Sequence, residues 1–169
     1  MNTTEKTAEH WIHYLHLAKH PEGGYYRETY RSEETVEGCN LPDRFPGTRI
    51  FSSAIYYLLS KNDVSVFHRL KSDEVLHFYA GDMLHIYILD EEGNLNLKKL
   101  GRSSESDFFQ CVVPAGLWFG TELENKKGYA LIGCTVAPGF DFHDFEMAKR
   151  ENLLEKFPQH EEVILRLTR

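Results

Sequence analysis

An all-β core of sandwich, jelly-roll or barrel type, with a helix before it and helices after it, is the fold class the 169-residue sequence predicts. Three observations predict it. Between residues 25 and 136 the chain offers nine short runs rich in β-branched and aromatic residues, most of them separated by turn signals. Residues 5–19 instead carry apolar side chains at helical spacing. After Ala137-Pro138-Gly139 the chain returns to good helix formers. Many short strands at this spacing fit packed or closed antiparallel sheets rather than a βαβ fold.

In the first helix Ala8, Trp11, Ile12, Leu15 and Ala18 share one face, and Asn2 with Glu5 has the spacing of a capping box. His20-Pro21-Glu22-Gly23-Gly24 stops it. The expected strands are Tyr25–Tyr30, Phe51–Leu59, Ser65–Leu70, Glu74–Tyr79, Met83–Leu89, Leu95–Leu100, Phe108–Val113, Leu117–Thr121 and Tyr129–Val136. Turns at Lys61-Asn62-Asp63, Ala80-Gly81-Asp82, Glu91-Glu92-Gly93-Asn94, Pro114-Ala115-Gly116 and Asn125-Lys126-Lys127-Gly128 punctuate them. Residues 32–48 read as a polar loop long enough to serve as a lid or partner contact. Glu146–Phe157 reads as a helix with Asp141 or Asp144 as its N-cap. Pro158 suits the first turn of a last helix bearing Val163, Ile164 and Leu167, so helical sequence runs over about 144–168.

The length fits one domain spanning 1–169. The net charge is −7 and no basic run occurs, which disfavours a nucleic-acid partner. No apolar run reaches the ~18–20 residues of a membrane span. The polar N-terminus has no signal-peptide core, so a cytoplasmic protein is expected. Cys39, Cys111 and Cys134 are odd in number and form no C-x-x-C pair, as expected of reduced thiols.

The chemistry concentrates in His68-Arg69-Leu70-Lys71-Ser72-Asp73-Glu74, with Gly81 seven residues on and Pro114-Ala115-Gly116 beyond. His68 to Gly81 resembles the first motif of the cupin superfamily, G-x5-H-x-H-x3,4-E-x6-G, and Pro114-Ala115-Gly116 resembles the P-x-G of the second, G-x5-P-x-G-x2-H-x3-N. Four positions depart: Leu70 and Phe119 stand where the second and third His would be, Phe108 at the leading Gly and Leu123 at the Asn. Four longer strings resemble one small cupin branch catalogued as a domain of unknown function: Pro21 to Glu28, Phe67 to Glu74, Val113 to Trp118 and Val136 to Phe140. The resemblance implies a double-stranded β-helix, that is, a jelly-roll barrel with a small-molecule pocket.

In metal-binding cupins three His and one Glu hold the metal; here only His68 and Glu74 remain of those four positions, so no metal cofactor is expected. His77 should point away from Glu74, whose face is shared by Leu76 and Phe78, while Val75, His77 and Tyr79 share the other. His85 is left unplaced.

Without a metal the resemblance points to cupin sugar epimerases, which move a proton beside a carbonyl with a His base and a Tyr acid. That gives His68 and Glu74 as catalytic candidates, Glu74 orienting the ring. Tyr25, Tyr26, Tyr56, Tyr57, Tyr79 or Tyr87 could be the acid. Tyr26, Arg27, Trp118 and Phe119 are the ligand-binding candidates, the Arg for an anionic group and the aromatics for stacking. The expected activity is isomerase-like on a sugar or nucleotide-sugar-like ligand. The alternatives are a non-catalytic metabolite-binding module and a metal-dependent enzyme using His68 and Glu74. A homodimer is the expected assembly, with the Val75, His77 and Tyr79 face as one contact surface. His10, His13 and His16 read as a solvated helix face, and Cys111 and Cys134 as small buried hydrophobes.

Overall fold

The computed structural model describes residues 6–102 and 108–169. The first helix, α1, spans only Ala8–Tyr14; Thr7 caps it, its hydroxyl accepting the His10 N–H at 3.2 Å. Asn2 and Glu5 lie outside the described residues. The expected helix over 5–19 is therefore too long, and Ala18 leaves its apolar face. It is exposed in a two-residue strand, β1 (Ala18–Lys19), paired with β2 (Tyr25–Arg31). Segment 32–48 is more ordered than a loop: β3 (Thr35–Val36) pairs with β4 (Arg49–Ile50) around a short 3-10 turn.

The chain then runs through β5 (Ser53–Ser60), β6 (Val64–Leu70), β7 (Asp73–Gly81), β8 (Leu84–Leu89) and β9 (Leu95–Leu100). It continues through β10 (Gln110–Val113), β11 (Trp118–Leu123) and β12 (Tyr129–Ala137). With β2 these are the nine expected strands, their ends shifted by at most two residues. A six-stranded sheet, β1-β2-β5-β12-β7-β10, faces a five-stranded one in which β6, β11, β8 and β9 follow an edge strand, β13 (Phe145–Met147). All pairings are antiparallel.

Three apolar layers follow from strand alternation. Tyr57, Leu59, Leu76, Ile86, Phe119 and Ile132 fill the space between the sheets. The opposite face of β5 and β12 would expose Leu58 and Leu131, but α1 covers it with Ala8 and Trp11. That is why residues 57–59 are buried without alternation. Phe67 and Leu89 on the outer side of the smaller sheet are covered by α2 (Arg150–Lys156) and α3 (Glu161–Arg166) through Leu153, Phe157, Ile164 and Leu167.

The helix expected over Glu146–Phe157 begins later. Phe145–Met147 instead extends the smaller sheet, with Phe145 opposite Leu70 and Met147 opposite His68. Asp141 caps a 3-10 turn, Phe142–Asp144, through the His143 N–H. Asp144 caps no helix: both its oxygens accept from the Arg49 guanidinium at 2.6 and 2.8 Å, and both side chains are more than nine-tenths buried. This tertiary ion pair ties β4 to the segment after β12 and overrides the local helix signal.

Asp144→Asn leaves the Arg49 charge buried and under-matched, which typically costs about 3–5 kcal/mol. At this chain length the expected result is a fall in Tm of about 10 °C. Arg49→Met combined with Asp144→Leu should recover most of it, as read by calorimetry.

Candidate active site

A cavity of about 230 Å³ opens between the sheets, and its lining follows from register. Glu74 on β7, Val136 on β12 and Ser53 on β5 lie in one cross-strand row; Leu76, Cys134 and Ile55 form the next. All point inward. From the facing sheet come His68 and Leu70, two residues apart on β6 and so on one face. Phe140, Phe142 and Phe145 supply an aromatic wall, with ring centroids 5.0–6.4 Å apart. Glu28 and Arg31 on β2 complete the lining, joined by three N–O contacts of 2.8–3.1 Å. A register shift between Glu28 and Tyr30 turns Arg31, three residues on, back to the face of Glu28.

The chemistry converges on Glu22, which is 8% exposed. Gly23 and Gly24 follow it at φ +117° and +66°; a Cβ on Gly23 would collide with the Val64 carbonyl oxygen. Only glycine lets the chain pass this close to β6. The turn delivers the Glu22 carboxyl to two imidazoles: Oε2 lies 3.3 Å from His68 Nε2 and 3.6 Å from His20 Nδ1. Its Oε1 accepts from Ser65 Oγ at 3.0 Å. His68 Nδ1 lies 2.8 Å from the Val66 carbonyl. A carbonyl only accepts, so Nδ1 carries hydrogen and Nε2 faces Glu22 across a gap that needs one proton, held by either group. The Glu22 backbone N–H donates to His20 Nδ1 at 3.3 Å, which leaves the hydrogen of neutral His20 on Nε2.

Burial sets the titration of this cluster. It lowers the pKa of both His68 and His20, against the opposing pull of Glu74 on His68 and of Glu22 on His20. It raises that of Glu22, opposed by His20 and the Ser65 hydroxyl. Glu74 is pushed up to about 7, again by burial, with His68 working against the shift and Glu22 adding to it.

His68, Glu74 and Tyr26 thus line the cavity as expected, with His20 against the Tyr26 ring at 4.6 Å. The direct carboxyl partner of His68 is Glu22, not Glu74. Three ligand-binding expectations are corrected. Arg27 points out, its guanidinium donating to the Leu15 carbonyl at 3.1 Å, because its neighbour Tyr26 faces in. Trp118 faces the C-terminal helices under the Arg69 guanidinium. Phe119 does point inward, but it is 2% exposed and packed at 4.1 Å beneath the His68 ring, not on the cavity surface. Of the six tyrosines considered as the acid, only Tyr26 lines the cavity. His77 faces out, bonded to Gln110 and Thr135, and His85 pairs with Glu124 at 3.2 Å. His10, His13 and His16 are exposed, Cys134 is buried and Cys111 half-buried.

His20, Glu22, Glu28, Arg31 and the three phenylalanines were not legible as site residues. The signal for Glu22 was a carboxylate directly before two glycines.

Residues 9–148 match the family described as Cupin superfamily (DUF985). The chain belongs to this cupin family. It is 41% identical, with a TM-score of 0.86, to the crystal structure of protein SO0799 from Shewanella oneidensis, covering 98% of this chain and 99% of that one. A hypothetical protein from Leishmania major is 35% identical with a TM-score of 0.82, covering 96% and 98%. The uncharacterized yeast protein YML079W (Saccharomyces cerevisiae) is 32% identical over 150 residues, 82% of this chain and 74% of its own. Oxalate decarboxylase from Bacillus subtilis shares the cupin fold alone, at 17% identity and a TM-score of 0.54 over 36% of its chain.

The cupin fold raises the question of a metal, and the residues do not fit one. Leu70 lines the cavity as an apolar wall and Phe119 packs under His68 where nitrogen ligands would be required. His68 Nε2 is engaged by Glu22. Among the described residues no group of three or more His, Cys, Asp or Glu has metal-binding geometry. No helix of the described residues is long and apolar enough to cross a membrane.

Burial of Glu74 has a thermodynamic signature. Unfolded, its carboxyl titrates near the ordinary 4.5; folded, at about 7. Between these values the folded state holds the extra proton, so this group's contribution to stability falls as pH rises from about 4.5 to about 7 and is flat above. The total is on the order of 3 kcal/mol. Glu74→Gln removes that penalty, and its Tm gain over the parent should be largest at pH 8 and shrink towards pH 4.5. A gain independent of pH would show that Glu74 is not held protonated by the fold.

Proposed function

We propose that this protein is a metal-independent enzyme of the isomerase or epimerase type, moving a proton beside a carbonyl in a compact ring substrate such as a sugar. The observation that carries this reading is the junction of two imidazoles and two carboxyl groups in an otherwise largely apolar cavity, with His68 Nε2 3.3 Å from Glu22 Oε2. General acid–base catalysis needs groups that titrate near working pH and can exchange protons with little rearrangement.

In this scheme the His68–Glu22 pair, in its deprotonated form, takes the proton from carbon. Glu74, protonated near neutrality, gives its proton to the carbonyl oxygen as the C–H electrons move into the carbon–carbon bond of the enol. Reversal returns a proton to carbon and restores Glu74. Tyr26, which also lines the cavity, is the second candidate acid. Phe119 beneath the His68 ring and the Val66 carbonyl on Nδ1 fix the imidazole plane. A cavity of about 230 Å³ is below the ~300–1,000 Å³ of drug-sized sites, so only the ring of a nucleotide-sugar-like ligand would enter.

The test follows protons. Keto- and aldo-sugars incubated with the protein in D2O should lose a C–H signal adjacent to the carbonyl by proton NMR. Chelator treatment should leave the rate unchanged, and His68→Ala should lower it by ~10²–10⁴-fold, the usual range for a lost general base. Saturable sugar binding without exchange would favour a metabolite-binding module instead. Loss of exchange after chelation would favour a metal-dependent enzyme.

We further infer that two copies pair through the outer face of the six-stranded sheet. Tyr79 and Val112 there are each 53% exposed, and among the described residues β10 is the last strand of the sheet. Light scattering should report a dimer at micromolar concentration and a monomer for Val112→Lys; a monomeric parent protein would overturn the pairing.

A further inference from the structure

The lining of the cavity is unbalanced in charge. Glu22, Glu28 and Glu74 face Arg31 alone, and Arg31 is already matched by Glu28. What remains is Glu22 and Glu74 with two imidazoles that burial drives towards neutrality. The Glu22 carboxyl has its partners: Ser65 on one oxygen, His68 and His20 near the other.

Glu74 does not. It is 8% exposed and lines the cavity. Among the described residues no nitrogen or hydroxyl hydrogen-bonds its carboxyl, and no cation lies within ion-pair distance. The group beside it is the Cys134 thiol, a weak donor. A buried carboxyl with no positive partner is costly in its ionised form, so the site is short of one cation. The aromatic wall suits one as well: Phe140, Phe142 and Phe145 pack edge to face or tilted, Phe145 lies 5.5 Å from the His68 ring, and aromatic rings attract cations that have left water.

We propose that the ligand of this cavity is a compact ring compound carrying a protonated amino group, whose ammonium is received by Glu74 while the ring lies against the phenylalanine wall. This rests on the cavity being the substrate site and deepens that reading: of ring carbonyl compounds, amino sugars and other cyclic amines are favoured over phosphorylated or carboxylated ones. An anion would have to displace Glu28 from Arg31 and then lie near two carboxyl groups. An ammonium meets a carboxyl that lacks a partner. An ammonium at Glu74 expels the carboxyl's proton, so for such a substrate Tyr26 is the acid that serves the carbonyl, and affinity rises as pH approaches and passes the titration of Glu74 at about 7.

Three probes of matched size and differing charge test this by calorimetry: benzylamine, benzyl alcohol and benzoate. Benzylamine should bind about tenfold more tightly than benzyl alcohol, the scale of one charge-assisted hydrogen bond, with benzoate weakest. Its affinity should rise several-fold from pH 6 to pH 8 with proton release, while that of benzyl alcohol stays constant. In Glu74→Gln benzylamine should fall to the level of benzyl alcohol, whose unchanged binding shows that the cavity is intact. Equal binding of amine and alcohol, preference for benzoate, or no binding of any probe at millimolar concentration overturns the proposal. The wild-type pH series stands even where the variant fails to fold. Amine binding with no His68-dependent proton exchange on any sugar would leave this assignment standing and overturn the isomerase reading; exchange on a neutral sugar with no amine preference would do the reverse.

Discussion

A carboxyl group can keep its charge among packed strands only if another group shares it, and the candidate site depends on how Glu22 meets that condition. The Gly23-Gly24 turn has no room for a side chain against β6, and this close approach sets Glu22 beneath His68 and beside His20. The same turn ties the sheets together: the Glu22 carbonyl accepts the Val66 N–H and the Gly23 carbonyl accepts the Tyr57 hydroxyl. The geometry of the site and the joining of β2 to β6 are therefore one construction. A change in the turn would alter both.

The aromatic wall of the cavity is held by a different device. The segment after β12 carries Phe140, Phe142 and Phe145, and a polar scaffold, of which Ser53 alone also lines the cavity, places them. Asp144 is clamped by Arg49, Phe140 N–H is bonded to Ser53 Oγ, and the Gly139 N–H reaches the Ile50 carbonyl. Phe142 is 62% exposed, so the wall it builds stands at the rim of the cavity. Rings held in this way keep their position without burial of their own, because the neighbouring backbone is fixed by hydrogen bonds and an ion pair with few alternatives.

The strands were legible because period-two alternation and turn residues are local signals, and β5 to β12 carry both. The ends were less so. Asp144 has the sequence of a helix cap, but its partner Arg49 is far away in the chain and nothing local reveals it. Phe145–Met147 has no strong strand pattern and becomes a strand because the edge of β6 is there to be paired. The site residues divide in the same way. His68 and Glu74 stood out through their spacing, and the cupin resemblance carried them correctly to the cavity. Tyr26 with Arg27, and Trp118 with Phe119, were each chosen as adjacent pairs on a strand, and alternation forbids both members of such a pair from facing one cavity. Arg31 reaches the cavity through a bulge, which sequence does not announce.

Leu70 and Phe119 are more than missing ligands. In a metal-binding cupin the charge of the metal keeps the glutamate ionised and the histidines neutral. With apolar side chains at those two positions there are too few ligands to supply that charge, and the leucine and phenylalanine carry the surroundings further from water. On Glu74 both effects act in one direction; on the imidazoles the lack of a metal's charge works upward and burial downward, and burial prevails. Glu74 rises to about 7 and the imidazoles fall, so a proton that water would place on imidazole moves onto the carboxyl. Leu70 and Phe119 thus go with a protonated carboxyl beside neutral imidazoles, the pairing that the proposed proton transfer would use.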